Sequence, residues 1–275
     1  MSGHKLPEPA PWKTAVGDVG FHKILVHGYK LTDIIENLTF SETLFLALKG
    51  ELPTRQQARV MDAVLTGITE HGFFTPTTVA ARVIGSASPR SIMPAVAGSL
   101  LTVGSVTVSP QDTAELIEEA LGLQRSEGLS REETARKMVA RLRERKVRMP
   151  GVGHPLHPTG DPRAISLKKI AVENGVWGEK GEMYEAVRDA FCAGIKKDLP
   201  INIDGMLGCV LSELGFSPLA MPGIAAISFL PGIIAHTVEE ISQGVMLRVV
   251  SGEYVGPAER ELPPEYKRGS GLCRE

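Results

Sequence analysis

The sequence predicts an all-α protein. Aromatic residues make up only 5% of its 275 residues, and Ala, Leu, Ile, Val and Met recur at three- and four-residue spacing, the pattern of helices packed on helices. No run of alternating apolar and polar residues is long enough to demand a sheet. At 43% hydrophobic and 23% charged, the chain has material for one sizeable core or two small ones, which excludes a disordered or collagenous chain.

The helices follow in order. Ser41-Glu42-Thr43-Leu44 opens one that stops at Gly50, with Pro53 as a breaker beyond it. Thr54 caps the next, which runs through Gln57, Val60, Val64 and Ile68 to about His71. Further helical stretches are 77–85, 91–104, 109–128 and 130–146, the last two opened by capping-box patterns, Ser109 with Asp112 and Ser130 with Glu133. Beyond a loop at 150–162, the spacing predicts helices over 163–174, 182–197, 204–215 and 223–243. The stretches 109–148 and 177–197 are amphipathic and highly charged, whereas 91–104 and 206–235 are apolar nearly all round and must be central or at a subunit contact. Residues 1–20 and 259–275 read as terminal arms.

A formal charge of −2 with dispersed basic residues supplies no cationic face for nucleic acid or anionic lipid, so a small molecule or another protein chain is the expected partner. Cys192, Cys209 and Cys273 form no CxxC pattern, which argues against a disulfide framework or a zinc site and for a reducing compartment. The N-terminus has no apolar core of signal-peptide type. The most apolar run, 223–235, is 13 residues interrupted by Pro231, short of the roughly 18 that span a bilayer. The expected location is cytoplasmic.

Three places hold chemistry. Residues 150–163 concentrate glycine and proline around His154, His157, Asp161 and Arg163. Such turns can fix an imidazole and a guanidinium fork in one relation, a receiver for a hydroxy-carboxylate, or they form a structural loop with exposed histidines. Asp204 opens an otherwise apolar helix; it serves as the N-cap, or, if desolvated in a cleft, as a proton acceptor. Glu70-His71-Gly72 closes a helix, where a cation meets the negative pole of the dipole.

These places, in this order, resemble the citrate synthase superfamily from about His27 to Pro257. The early stretch His27-Gly-Tyr, Phe40-Ser-Glu-Thr and Gly50-Glu-Leu-Pro-Thr54 is similar to the family's opening signature. Gly-Val-Gly-His154, Asp161-Pro-Arg163 nine residues on, Asn202-Ile-Asp204, Gly232-Ile-Ile-Ala-His236 and Tyr254-Val-Gly-Pro complete the match. The resemblance implies a citrate synthase-like helical bundle with a large domain (21–108 and 201–258) and a small one (109–200), assembled as a homo-oligomer. It also implies a CoA thioester as substrate, with no tightly bound cofactor and no metal. By the same resemblance, Asp204 is the base toward the acetyl-CoA methyl and His154 binds the oxygen on the carbon attacked. Arg163 and His71 bind substrate, and Gly153, Pro155 and Leu156 lie on the CoA loop.

Departures from the family pattern sharpen the expectation. Thr107 stands where the histidine that polarises the thioester oxygen belongs, which is similar to citryl-CoA lyases and the lyase portion of ATP-citrate lyase. The short link from Thr54 to His71 points the same way. Phe229 stands where an arginine is usual and Pro155 replaces another; losing a contact to a buried carboxylate costs about 2 to 5 kcal/mol. Arg248 is the candidate replacement, supplied from a neighbouring subunit. The expected activity is cleavage of citryl-CoA or a related 3-hydroxyacyl-CoA to acetyl-CoA and a 2-oxo acid or ketone. The alternatives are a small citrate or methylcitrate synthase and a degenerate CoA-binding, non-catalytic subunit.

Overall fold

The structure is a computed structural model that describes residues 12–104 and 107–267. Cys273, most of the first arm and the end of the second lie outside these residues. Among those described, eleven α-helices carry the fold and a three-stranded sheet precedes them, so the molecule is all-α with a small β addition.

The sheet is antiparallel: β1 (Gly17–Gly20) pairs with β2 (Lys23–Val26), and β2 with β3 (Tyr29–Lys30). The second turn places His27 at φ 47° and Gly28 at φ 87°, the paired positive angles of a tight hairpin. The strands are at most four residues long and largely exposed, so they lack the half-buried alternation that marks a strand in sequence. The last residues of the expected 1–20 arm are therefore a paired strand.

The helices are α1 (Leu31–Asn37), α2 (Phe40–Lys49), α3 (Arg55–Gly67), α4 (Pro76–Ala87), α5 (Met93–Leu100), α6 (Pro110–Glu127), α7 (Arg131–Glu144), α8 (Pro162–Glu173), α9 (Glu179–Ile195), α10 (Ile203–Glu213) and α11 (Met221–Ser242). Thr54 with Gln57 and Ser130 with Glu133 form reciprocal capping boxes, as does Thr39 with Glu42. Ser109 makes no side-chain cap. Pro110 at the first turn lacks an N–H to satisfy and sets the helix start instead.

Buried side chains fall into two clusters. The first joins α2, α3, α10 and α11 around Phe45, Met61, Leu207 and Ile224, and takes Ala164, Leu167 and Ala171 from α8. The second joins α6, α7 and α9 around Ile117, Met138, Met183 and Tyr184. Trp177 and Ile201 touch both. α10 lies at the centre, packed on α3, α6, α8 and α9, which explains its apolar surface: every residue from Gly205 to Ser212 is buried.

α11 matches the predicted helix over 223–243, with Pro231 inside it, but corrects the length set against a bilayer: the helix that contains the 13-residue apolar run is 22 residues long. By length and composition alone it is long and apolar enough to cross a membrane. In this fold its apolar face packs on α3, α4, α5 and α6, with Ile224, Phe229 and Ile233 buried.

Candidate active site

The loop 150–160 is stitched to the start of α10 before any reactive group is considered. Gly153 N–H donates to Pro200 O, Asn202 N–H to Gly151 O and Asn202 Nδ2 to Gly153 O, at 2.7, 3.0 and 2.9 Å. Tyr184, fully buried, donates its hydroxyl to Pro150 O at 2.6 Å. Gly151 has φ +75°, and a Cβ there would collide with Gly205 Cα and lie 2.5 Å from the Tyr184 hydroxyl. Two glycines from distant elements therefore allow the backbones to touch.

Asp161 completes the junction. Its carboxylate, 1% exposed, caps α8 by accepting Arg163 N–H at 3.0 Å, and also accepts Ile203 N–H at 3.0 Å from the first turn of α10. Arg163 Nε and Nη2 donate to the two carboxylate oxygens at 3.0 and 2.8 Å, a planar fork on a planar acceptor. Burial alone would raise the Asp161 pKa, but the Arg163 bonds and charge outweigh it and hold the carboxyl below its ordinary value. No role for Asp161 was expected from the residues alone. Its signal was an aspartate directly before Pro-Arg, an N-cap pattern of α8.

His71 and His154, 83 residues apart, meet with their Nε2 atoms 3.3 Å apart. Leu156 N–H donates to His154 Nδ1 at 3.1 Å, so in neutral His154 the proton sits on Nε2. That N–H then faces a bare Nε2 on His71. Burial is the first cause that lowers both imidazole pKa values, and the Arg163 charge is the second. Phe74 stands edge-on to His71 and His157 stacks on His154, closing the pair off further. The helix-end reading of His71 is corrected here: α3 stops at Gly67, and the imidazole is shifted downward by burial rather than upward by a dipole.

Asp204 is not the N-cap of α10. Asn202 is, accepting Gly205 N–H at 3.1 Å, which leaves the Asp204 carboxyl free of that task. Burial pushes its pKa up to about 6, against the opposing pull of Arg163 and of the Ser109 backbone. Among the described residues it shares one cavity of about 380 Å³ with His71, His154, Arg163, Thr107 and Phe229. Gly153 and Pro155 also line it, whereas Leu156 is 55% exposed and outside, touching the site only through its N–H to His154. Among the described residues, Arg163 is the one arginine or lysine on this wall.

Arg248 is not brought to the cavity of its own chain. Its Nε donates to Glu240 Oε1 at 2.6 Å near the C-terminal end of α11, and its backbone N–H to Ser86 Oγ at 2.8 Å.

The arrangement offers an N–H donor, a bare ring nitrogen, a guanidinium and a carboxyl that keeps its proton to unusually high pH, all facing one volume. Such a set can move a proton on and off carbon while holding a developing oxyanion.

Comparison with known proteins follows the same lines. The family described as citrate synthase, C-terminal domain, matches residues 55–249. The solved structure of citryl-CoA lyase from Hydrogenobacter thermophilus superposes with a TM-score of 0.83 at 33% identity, covering 92% of this chain and 98% of that one. Curated relatives include citrate synthase 2 of Bacillus subtilis, 29% identical over 46% of this chain and 34% of its own length. Another is 2-methylcitrate synthase 2 of Corynebacterium glutamicum, 36% identical over 43% of this chain and 31% of its own. The matched stretch thus spans about a third of these two curated relatives.

Proposed function

The chain belongs to the citrate synthase C-terminal domain family, and from that membership we propose that it is a CoA-dependent carbon–carbon lyase that opens citryl-CoA or a related 3-hydroxyacyl-CoA. The observation that carries the reading is the cavity in which an uncharged imidazole pair faces a carboxyl with a pKa near 6. A substrate hydroxyl that displaces the direct contact between the two rings accepts from His154 Nε2–H and donates to His71 Nε2. As the carbon–carbon bond breaks, the hydroxyl proton passes to His71 and the oxygen becomes a carbonyl. The bond's electron pair moves into the thioester enolate, and Asp204, in its acid form, delivers a proton to the CH2 carbon. Atoms and charge balance as acetyl-CoA plus a 2-oxo acid or ketone, and the protein resets by returning the proton from His71 to Asp204 through solvent. Arg163, preorganised by Asp161, holds the substrate carboxylate.

Cleavage is favoured over condensation by Thr107 on the cavity wall, which offers no imidazole to the thioester oxygen. The 33% identity to a citryl-CoA lyase over nearly its whole length supports the same direction. With Arg163 as the one arginine or lysine among the described residues of the lining, and apolar Phe229 also on it, the site suits a substrate with one anchored carboxylate. The second reading, a small citrate or methylcitrate synthase, is favoured by the curated relatives.

Mixing the purified protein with citryl-CoA, and separately with acetyl-CoA plus oxaloacetate, tests both by mass spectrometry of products. Acetyl-CoA and oxaloacetate from the first mixture alone establish the lyase. Free CoA from the second mixture establishes the synthase. Silence in both removes the catalytic reading of these substrates.

A further inference from the structure

The motif Gly232-Ile-Ile-Ala-His236 lies outside the chemistry above. Gly232 and His236 are one turn apart and so share a face of α11. Both meet the same partner. His236 Nε2 lies 3.0 Å from Glu70 Oε2, and a Cβ on Gly232 would collide with Thr69 O and approach Glu70 Oε2 to 2.8 Å. The missing side chain is what lets α11 sit directly against the turn that precedes His71. Glu70 in turn accepts the Gly72 N–H with its other oxygen, Oε1. One carboxylate therefore grips both the helix and the backbone on the far side of His71.

The donor sense of His236 is fixed from behind. Arg82, buried between α4 and α11, can only donate, and its Nη1 lies 3.3 Å from His236 Nδ1. The accepting nitrogen is thus Nδ1, and the proton of neutral His236 is on Nε2, aimed at Glu70. Arg82 is itself anchored: Nε donates to Glu240 at 2.7 Å, Nη2 to Gln243 at 3.0 Å, and Nη1 to Glu239. Glu240, 0% exposed, also holds Arg248. Burial would raise the Glu70 pKa, but the bonds from His236 and Gly72 outweigh it and lower it, which keeps the grip in its charged form.

We propose that His236 is a positioning residue for His71: through Glu70 it sets the turn that points His71 Nε2 at His154. For its kinetic consequence this rests on the function proposed above; the positional claim stands without it.

The test uses the full-length protein labelled with nitrogen-15 histidine, comparing His236→Ala, His236→Gln and Gly232→Ala by long-range proton–nitrogen spectra. Gln presents an amide N–H at the place of Nε2 and restores the donor; Gly232→Ala disturbs the same seat without removing any titratable group. The expected result is that His71 and His154 ring resonances move in His236→Ala and in Gly232→Ala, and return toward wild type in His236→Gln. Where the wild type cleaves an acyl-CoA, His236→Ala lowers kcat by about 10- to 100-fold, as a small misplacement does, and His236→Gln recovers most of it. Wild-type ring resonances for His71 and His154 in a folded His236→Ala protein overturn the proposal whatever the turnover. A His236→Gln protein that folds but fails to restore them overturns it as well. Absence of turnover in the wild type bears only on the proposed function, because the spectra decide the positioning.

Discussion

Ile203 N–H and Arg163 Nη2 converge on one oxygen, Asp161 Oδ2, at 3.0 and 2.8 Å. A single buried carboxylate therefore sets both the arginine of the cavity and the first turn of α10, on which Asp204 is the next residue. Removing it leaves Arg163 half-buried without its partner and two N–H groups of helix starts unmet. Asp161→Ala is expected to cost about 3 to 5 kcal/mol, measured by urea unfolding at neutral pH. A loss below about 1 kcal/mol would sink the junction role. Because its folded pKa is lowered, the stability it contributes is present above its ordinary value of 3.8 and is lost as pH falls through the folded pKa.

Asp204 has the opposite sign. Its folded pKa lies at about 6 against an ordinary 3.8, so the native state holds the proton more tightly than the unfolded one. Its contribution is complete below 3.8 and lost as pH rises through about 6; above that the ionised form is a burden of at most about 3 kcal/mol. Asp204→Asn is expected to raise stability at pH 8, leave it nearly unchanged at pH 4, and abolish turnover. Equal unfolding midpoints for the two proteins at pH 8 would contradict the raised pKa.

The cleavage mechanism requires an acid at Asp204 and a bare nitrogen at His71. The kcat profile is expected to be bell-shaped, falling on the alkaline side through about 6 as Asp204 ionises. It falls on the acid side as His71, lowered from 6.5, takes a proton. In Asp204→Glu, a shift of the alkaline limb alone would assign it. A profile flat from pH 5 to 8 would remove both groups from the rate-determining chemistry.

Gly151 is expected to tolerate no side chain. An alanine there would occupy the space of Gly205 Cα in a φ of +75°. Gly151→Ala should destabilise by about 2 kcal/mol or more, whereas Gly128→Ala, at a positive φ with open space around it, should cost only about 1 kcal/mol. Similar melting temperatures for the two variants would show that the α10 junction can relax.

Much of this molecule is legible along the chain. Thr54 with Gln57 and Ser130 with Glu133 start helices where they stand, because a cap needs only neighbours three residues away. Arg163, His154 and Asp204 are singled out by residue type and spacing. The strands 17–30 and α1 escape notice because their residues are mostly exposed and leave no strong hydrophobic period. Ser109 and Asp204 mislead for a related reason: several residues near a helix start can cap it, and which one does depends on what the rest of the chain occupies. Asn202 takes the place expected of Asp204, and Ser109 stands at the N-cap of α6 without a side-chain bond, ahead of Pro110.

The sequence by itself determined the helical class, most helix positions and the order of the chemically able side chains, since these follow from periodicity and local hydrogen bonding. Only the tertiary structure decided what state those side chains are in. The height of the Asp204 pKa comes from desolvation beneath packed helices. The donor sense of His154 comes from Leu156 N–H, and its partner from a residue 83 positions away. The seat of the turn before His71 lies against a glycine and a histidine on α11, and the partner of Arg248 is a fully buried glutamate. Burial and long-range contact set charge, tautomer and aim, and neither is a property of neighbouring residues.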